Sequence, residues 1–426
     1  MKLQKTLLAF AALTLIGCGH NTMKSVAWSD PTKVKVTGQS RAELLVQKCQ
    51  QYLAKHPNTV KAYNELGLAF AQLGRENGDL ANYDHARDSF KKAHELDGKD
   101  AAAMRNLAYV STIFHDFQGA ISWGEMAIKT HPQDPSAYGI VSDSHFELGD
   151  YDKATDYAQK MVDLKPDLSS YSRAAKLKWV FGDQKGAMLV MQKALNAGAP
   201  FAENTAWCST MLGDMYFKTG ALAVAEKQYK DSLNRLKDYR HACAGMARVC
   251  FAKNNLEEAS QWMSKACIGV PPIPYVQELG EIYLKMGKPD LAKAQFDKVE
   301  ATSKAYRDHG IGGDEVALAN YWLDHTTKKR EALDMMEAEA KEHTNYETWS
   351  TLAWAYYCNN KPGEAAKAME KAMRTGVQDS LVFYRASKIA SANGQAAEAR
   401  RLALLCQNMN PNFSMWHKVE DLVAAR

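Results

Sequence analysis

Residues 349–372 read WSTLAWAYYCNNKPGEAAKAMEKA and decide the fold. Apolar and small residues recur on both sides of the turn sequence at 359–363, at the spacing of two short amphipathic helices. Ala365, in the second of these helices, belongs to a series of alanines that are 34, 34, 33, 38, 34, 33, 40, 33 and 34 residues apart. The series is Ala86, Ala120, Ala154, Ala187, Ala225, Ala259, Ala292, Ala332, Ala365 and Ala399. A period of about 34 residues predicts an array of stacked two-helix units.

This unit resembles the tetratricopeptide repeat (TPR). That family has an aromatic residue, Leu, Gly and Tyr in its first helix, then Ala, an aromatic residue and Ala in its second helix, and then Pro. Prolines follow four of the alanines by 12 residues, at positions 132, 166, 271 and 411. The resemblance covers about residues 59–411. The best matches are Trp349, Leu352, Ala353, Tyr356, Ala365 and Ala372; Leu212, Gly213, Tyr216, Gly220, Ala225 and Tyr229; and Tyr63, Leu66, Gly67, Phe70, Ala86, Phe90 and Ala93.

The resemblance implies an all-α fold, a TPR α-solenoid. About ten helix-turn-helix hairpins would form a superhelix with capping helices at both ends. Small residues let the two helices of a hairpin approach closely, and proline ends the second helix because it cannot continue one. We expect residues 41–56 to form the leading cap and residues 413–426 to cover the last hairpin. The second cap has apolar residues at helical spacing, namely Phe413, Trp416, Val419, Leu422 and Val423.

Three intervals are longer than the repeat requires: about seven extra residues separate the helices of the first hairpin near residues 75–79, and the alanine spacings of 38 and 40 fall near residues 198–205 and 303–314. We predict a longer surface loop at each of them. The alternative for the third interval is a hinge. The array is therefore divided into an N-terminal part, residues 41–302, and a C-terminal part, residues 303–426.

The first 18 residues, MKLQKTLLAFAALTLIGC, have the pattern of a leader. Lys2 and Lys5 precede an uncharged run of 11 residues, which is too short to span a bilayer and is typical of a signal peptide. Leu15-Ile16-Gly17-Cys18 resembles the lipobox of bacterial lipoproteins. That resemblance implies a signal peptide at 1–17, a lipidated Cys18 and a flexible tether at 18–40. The alternatives are an ordinary signal peptide with a chance cysteine, or a buried apolar helix.

Composition excludes several classes of protein. The chain has 426 residues, of which 46% are hydrophobic, so it can build a core and is not disordered throughout. Its 53 Lys and Arg against 49 Asp and Glu leave a net charge of +4, which is too weak for a dedicated nucleic-acid binder. Cysteines other than Cys18 are either small core residues or, in an oxidising compartment, one or two disulfides. The candidate pairs are Cys250 with Cys267 and Cys208 with Cys243.

Enzyme signatures are absent from the sequence. It contains no His-Glu-x-x-His, Cys-x-x-Cys, Gly-x-Ser-x-Gly or phosphate-loop motif. We therefore predict no catalytic residue, no metal and no cofactor. An alternative is a receptor or enzyme that is built on the solenoid and acts on a peptide or glycan. Its candidate residues are Asp143, Asp214, His241 and Arg248. A cytosolic co-chaperone with a carboxylate clamp is a third reading, but Leu68 occupies the place of one clamp asparagine.

The resemblance also implies a partner-binding groove, lined mainly by the first helix of each hairpin. Its residues mix aromatic side chains with Arg and Asp, which suits recognition of proteins or peptides. They are Arg105, Tyr109, Asp143, Phe146, Trp207, Asp214, Phe217, His241, Arg248, Phe251, Trp354, Tyr357 and Tyr384.

Together these features predict a lipid-anchored, non-catalytic scaffold or adaptor that binds protein partners in the cell envelope, for assembly of an envelope machine. The lipid would attach it to the membrane and raise the effective concentration of its partner. Gly19, in place of Asp, follows the lipidated cysteine and favours the periplasmic face of the outer membrane. We expect protein or peptide partners and no nucleic acid.

Overall fold

The structure is a computed structural model and describes residues 30–38 and 40–413. Over these residues the fold is all-α, with a 3-10 turn at Pro31–Lys33 and no strand, and the predicted fold class is confirmed. None of the described helices is both long and apolar enough to cross a bilayer. The helices are α1 (Arg41–Lys55), α2 (Val60–Asn77), α3 (Ala81–Leu96), α4 (Ala101–Ile113), α5 (Phe117–Thr130), α6 (Pro135–Glu147), α7 (Tyr151–Leu164), α8 (Leu168–Val180), α9 (Gln184–Asn196), α10 (Glu203–Lys218), α11 (Leu222–Arg235), α12 (Arg240–Ala252), α13 (Leu256–Ala266), α14 (Ile273–Lys285), α15 (Pro289–Asp308), α16 (Glu315–His325), α17 (Lys329–Glu342), α18 (Tyr346–Cys358), α19 (Pro362–Met373), α20 (Ser380–Ala392) and α21 (Ala396–Met409).

Aspartates set the starts of many helices. The side chains of Asp116, Asp134, Asp150, Asp167 and Asp183 accept hydrogen bonds from backbone N–H groups in the first turns of α5 to α9. Those N–H groups have no partner within their own helix, so a carboxylate at this position satisfies them. The short sequence between two helices therefore fixes where the next helix begins.

After α1, the helices form ten hairpins, from α2/α3 to α20/α21, and the two helices of each hairpin pack side by side. Close packing depends on small residues. The ring of Tyr229 on α11 is fully buried between Gly213 on α10 and Gly245 on α12. A Cβ atom at Gly213 would lie 2.6 Å from that ring, and one at Gly245 would lie 2.3 Å from it. A larger side chain at either position would separate the helices.

Two of the three long intervals differ from the predicted surface loops. Residues 75–77 are helical, because α2 continues to Asn77 and only residues 78–80 separate it from α3. The third interval is divided, since α15 continues to Asp308 and residues 309–314 link it to α16. The extra residues thus lengthen helices, which keeps their backbone hydrogen bonds satisfied. The middle interval does contain a loop, at residues 197–202.

The two ends of the described chain differ in how they meet the array. The leading helix lies where it was predicted, as α1. Residues 30–38, part of the predicted flexible tether, instead pack against α1. The side chain of Gln50 donates hydrogen bonds to the carbonyl oxygens of Pro31 and Val34, both at 2.9 Å. The leader with Cys18 lies outside the described residues, and so does the predicted C-terminal cap after Phe413.

The superhelix closes on itself. The turn inside hairpin three meets the linker that follows hairpin eight, where the backbone N–H of Thr344 donates to the carbonyl of Leu148 at 3.3 Å. The turn inside hairpin four meets the next linker, and the turn inside hairpin five meets the segment after α21. In that last contact the amide of Asn410 donates to the carbonyl of Phe217 at 3.3 Å. We call this line of contacts the seam.

The seam follows one rule along the array, because the turn of each of the first five hairpins meets the linker five hairpins further on. The turn of hairpin one, at Gly78, lies beside Arg240 and the linker at Gly269. The turn of hairpin two, at His115, lies against the linker at Gly313. Consecutive turns of the superhelix therefore touch. The linker at 309–314, for which a hinge was the alternative, lies within these contacts.

The seam predicts different effects for two glycines in equivalent turns. Gly149 and Gly394 both have positive φ, 76° and 74°, so alanine at either position is strained to a similar degree. A Cβ at Gly149 would lie 2.3 Å from the carbonyl oxygen of Thr344, whereas nothing lies within 4 Å at Gly394. We expect Gly149→Ala to be about 1–3 kcal/mol less stable than Gly394→Ala and to increase the radius of gyration. Small-angle scattering and urea unfolding measure both. Equal radii and equal stabilities would contradict the seam.

Candidate functional site

Four cavities lie along the first helices of the hairpins, and we call the space that they line the inner channel. The largest of these four has a volume of about 1100 Å³ and lies between α12, α14, α16, α18 and α20. A second, of about 600 Å³, extends toward α10. Glu281, Asp324, Leu381 and Arg385 line both, so the two are neighbouring parts of one space. The others are smaller, about 520 and 190 Å³, and lie along earlier hairpins.

Aromatic side chains line one wall of the largest cavity. The rings of Trp354 and Tyr357 are stacked, with centroids 4.9 Å apart and planes inclined by 15°. The ring of Tyr384 lies 6.1 Å from Trp354, and the indole N–H of Trp354 donates to Asp324 at 3.0 Å. We call Trp354, Tyr357 and Tyr384 the aromatic cluster. The hydrogen bond to Asp324 limits rotation of the Trp354 ring, which lines the cavity.

Arg248, on α12, lines the second cavity and is already paired with a carboxylate. Its Nε and Nη2 atoms each donate to one carboxylate oxygen of Glu278, both at 2.9 Å. Its Nη1 lies 3.8 Å from the carboxylate of Asp214, which also accepts a 2.7 Å hydrogen bond from the hydroxyl of Tyr229. Burial raises the pKa of Asp214. These groups form a buried ionic network between first helices, so Arg248 stabilises the channel wall.

His241 lines the third cavity and is uncharged at neutral pH. Its Nδ1 atom is 2.7 Å from the hydroxyl of Tyr275. Burial, helped by the positive charges of Arg240 and Arg248, lowers its pKa to about 4. Trp207 lines the same cavity.

The structure brings ten of the thirteen predicted groove residues to the four cavities. Phe251 and the aromatic cluster line the first, Phe217 and Arg248 the second, Trp207 and His241 the third, and Phe146 and Asp214 the fourth. The remaining three bond to neighbouring helices or loops. Arg105 pairs with Asp134 at 2.8 Å, Asp143 pairs with Arg173 at 2.7 Å, and the hydroxyl of Tyr109 accepts a hydrogen bond from Arg75.

Sequence reasoning missed the charged residues that hold the channel together. Lys218 pairs with Asp379 across the seam at 3.1 Å, a contact between residues 161 positions apart. Arg385 is 4% exposed and lies between the two largest cavities. The sequence did contain one signal for Arg385. The first five residues of α20 are uncharged, and Arg385 is the only charged residue of this helix before Lys388. A long-range pair such as Lys218 with Asp379 leaves no local signal.

The cysteines form no disulfide within the described chain. All seven from Cys49 to Cys406 are free, including the two candidate pairs. Five of them are buried. In this arrangement the buried cysteines pack as small core residues.

Comparison with known proteins gives matches to one repeat family. Residues 76–135, 135–168 and 273–304 match the tetratricopeptide repeat. A curated relative, the cellulose synthase 1 operon protein C of Komagataeibacter xylinus, is 25% identical over 246 residues. The match covers 55% of this chain and 16% of that relative, so this chain spans only a small part of the relative's length.

Solved structures share the architecture at low identity. The human IFIT1 dimer with m7Gppp-AAAA aligns with a TM-score of 0.51 and 14% identity, over 78% of this chain and 76% of that one. TTC0263, a thermophilic TPR protein of Thermus thermophilus, gives a TM-score of 0.38 and 16% identity, over 49% of this chain and 98% of that one. At such low identity, the similarity to IFIT1 concerns the fold alone. Ten stacked hairpins, with family matches in several of them, show that this chain contains tetratricopeptide repeats, which generally serve as protein-interaction scaffolds.

Proposed function

We propose that this chain is a lipid-anchored, non-catalytic scaffold of the cell envelope that holds an extended segment of a protein partner in its inner channel. The observation that carries the proposal is the aromatic cluster in the largest of the four cavities, inside a superhelix whose turns touch at the seam. An occupant of that cavity would lie among first helices, and an extended chain could contact several of them in succession.

Cavity size and lining support a peptide occupant. A volume of about 1100 Å³ is at the upper end of that of ligand pockets and accommodates a few side chains. Tyr and Trp side chains bury large areas at little entropic cost and offer hydrogen-bonding tips, which suits peptide recognition. The four cavities have about as many acidic as basic lining residues. A polyanion such as a nucleic acid would need an excess of basic residues, so the lining favours a peptide.

The alternative, a receptor or enzyme on the solenoid, has weaker support. Its four candidate residues each bond to a neighbouring side chain. Asp143 is held by Arg173, Asp214 by Tyr229, and Arg248 by Glu278. His241 contacts Tyr275. These groups are bonded to one another or to structural partners and line different cavities or none, so the structure does not bring them together around one reacting atom, as a catalytic site requires.

The sequence of the leader supports the lipid anchor in this proposal. The basic residues, the apolar run and the tetrapeptide ending in Cys18 support a lipid attached at that residue. A lipid there would hold the array at a membrane surface, on the periplasmic face of the outer membrane where the cell has one. The scaffold would then present its channel to an envelope partner at high local concentration.

Site-specific photocrosslinking in the native envelope tests the proposal. A benzoylphenylalanine at Tyr357 faces the largest cavity, whereas one at Leu189, which is 68% exposed on the outer helix α9, faces away from it. We expect an adduct at Tyr357 that maps to one short segment of a partner protein, and no such adduct at Leu189. Adducts at Leu189 only, or a bound glycan in place of a peptide, would contradict the proposal.

The same experiment in a Cys18→Ser background tests the anchor. This change removes the thiol that would accept the lipid and leaves the channel unaltered. We expect the protein to leave the membrane fraction, to lose a lipid-modified mass and to give less of the Tyr357 adduct. A variant that stays with the membranes and keeps a lipid-modified mass would show that Cys18 is not the anchor.

A further inference from the structure

Arg385 is a buried cation at the junction of the two largest cavities. It lies on α20, the first helix of the last hairpin, and is 4% exposed. Its side chain reaches back along the channel wall toward α16 and α18. The guanidinium carbon is 5.7 Å from the centroid of the Trp354 ring, so it borders the aromatic cluster.

Within the described part of the chain, the guanidinium of Arg385 bonds only to neutral oxygens. Its Nη2 donates to the amide oxygen of Asn320 at 2.6 Å. Its Nη1 donates weakly to the hydroxyls of Ser350 and Thr351, at 3.4 and 3.3 Å. Among the described residues, no carboxylate oxygen lies within the 4.0 Å of an ion pair. Arg248, in the same channel, is instead paired with a glutamate.

Carboxylates near Arg385 are engaged elsewhere. Asp379 pairs with Lys218 at 3.1 Å and accepts hydrogen bonds from two backbone N–H groups of α20. Asp324 accepts the indole N–H of Trp354. Glu281 lies 3.0 Å from a ring nitrogen of His325. The guanidinium is thus held in place, while no carboxylate of residues 30–38 or 40–413 pairs with its charge.

The largest cavity has a small excess of positive charge. Lys285, Lys329 and Arg385 line it together with only two carboxylates, Glu281 and Asp324. Burial lowers the pKa of Arg385, which shows that its charged form has lost hydration. A buried charge is costly unless it is paired, and a guanidinium offers a planar pair of donors that matches a carboxylate.

We propose that Arg385 binds a carboxylate of the peptide that occupies the channel, with a neighbouring apolar or aromatic side chain of that peptide packed on the aromatic cluster. This inference rests on the proposed function. A single guanidinium suits one carboxylate, because a second negative charge would be repelled by Asp324 and Asp379. A phosphate dianion or an acidic polymer therefore fits less well.

A peptide array with matched pairs tests the assignment. The probes are immobilised 12-residue peptides, each containing an aromatic residue beside Glu, and each with a twin in which Gln replaces that Glu. The full chain from Cys18 is applied, and the best pair is measured by fluorescence anisotropy. We expect the Glu peptides to bind about tenfold or more tightly than their twins, as for a hydrogen bond between charged groups.

Variants identify the residue responsible. Arg385→Gln should remove the preference for Glu and leave binding of the Gln twins unchanged. Arg385→Lys keeps a charge without the planar fork and should retain only part of the preference, which keeps the test valid if the first variant folds poorly. Arg173→Gln is the matched control, because this first-helix arginine already pairs with Asp143. It should keep the full preference.

The outcomes separate this inference from the proposed function. If Glu peptides and Gln twins bind equally well, the carboxylate assignment is overturned while a peptide channel stands. If neither set binds the wild-type chain, the channel proposal itself fails. If oligogalacturonate binds in an Arg385-dependent manner and the Glu peptides do not, the site takes an acidic glycan and the peptide assignment is overturned.

Discussion

Replacing Arg248 by methionine is expected to lower the free energy of unfolding by about 3–5 kcal/mol, because the change leaves buried carboxylates without their cation. Glu278 would lose both of its 2.9 Å hydrogen bonds, and Asp214 would lose its nearest positive charge. The side chains of the ion pair are only 22% and 19% exposed, so water replaces the lost bonds poorly. Guanidinium unfolding followed by circular dichroism measures the loss. Hydrogen exchange in α10 to α14 shows whether it is local.

A second ion pair provides a matched control. Arg401 and Glu398 on α21 have the same two-bond geometry, with both bonds at 2.7 Å, but their side chains are 57% and 43% exposed. We expect Arg401→Met to cost at most about 1 kcal/mol. The double variant Arg248→Met with Glu278→Leu should recover most of the loss, because it leaves no charge of that pair buried. Equal losses for the two arginine variants would contradict the assigned burial.

The loss in Arg248→Met should also depend on pH. Burial raises the pKa of Glu278 even beside Arg248, and without the cation this pKa should rise further. A carboxyl whose pKa is higher in the folded than in the unfolded state gives less stability as pH rises through that pKa. The deficit relative to the wild type should therefore be larger at about pH 7.5 than at about pH 5. A deficit that is the same at both would mean that Glu278 finds another partner.

Replacing Tyr229 by alanine is expected to cost about 3–5 kcal/mol, because the ring leaves a cavity that its neighbours cannot fill. The ring is fully buried between Gly213 and Gly245, which have no side chains to move into the space. Tyr229→Phe is the control, since it keeps the ring and removes only the hydroxyl that donates to Asp214. It should cost about 1–2 kcal/mol. Similar losses for both variants in a denaturant series would mean that the hydroxyl dominates.

The repeat pattern alone predicted the fold and most of the channel. Alanines about 34 residues apart gave ten hairpins, and the structure contains ten in register with α1 before them. The first-helix positions gave ten residues that line the cavities, including the aromatic cluster. Local patterns suffice here because each hairpin contacts mainly its neighbours, so its apolar and small residues have to face them.

Loop assignments failed where length alone was the signal. A longer interval shows that residues were added, and it does not show whether they extend a helix. Residues 75–77 continue α2, and residues 303–308 continue α15. Both helices keep bonding until a left-handed glycine stops them, at Gly78 and Gly310. The number of residues in an interval could not distinguish these additional helical residues from a loop.

By itself, the sequence determined the repeating unit, the number of hairpins and which helix of each hairpin faces inward. Only the tertiary structure decided that the superhelix closes. Gly149 and Gly394 occupy the same place in their repeats, yet only Gly149 touches a distant linker. Likewise, Lys218 meets Asp379 while Arg385 is left with neutral partners. Closure is the sum of small rotations between successive hairpins, and each rotation depends on how side chains pack at its interface. The sequence of one repeat does not determine the total rotation, so the seam and the surroundings of Arg385 could be identified only from the tertiary structure.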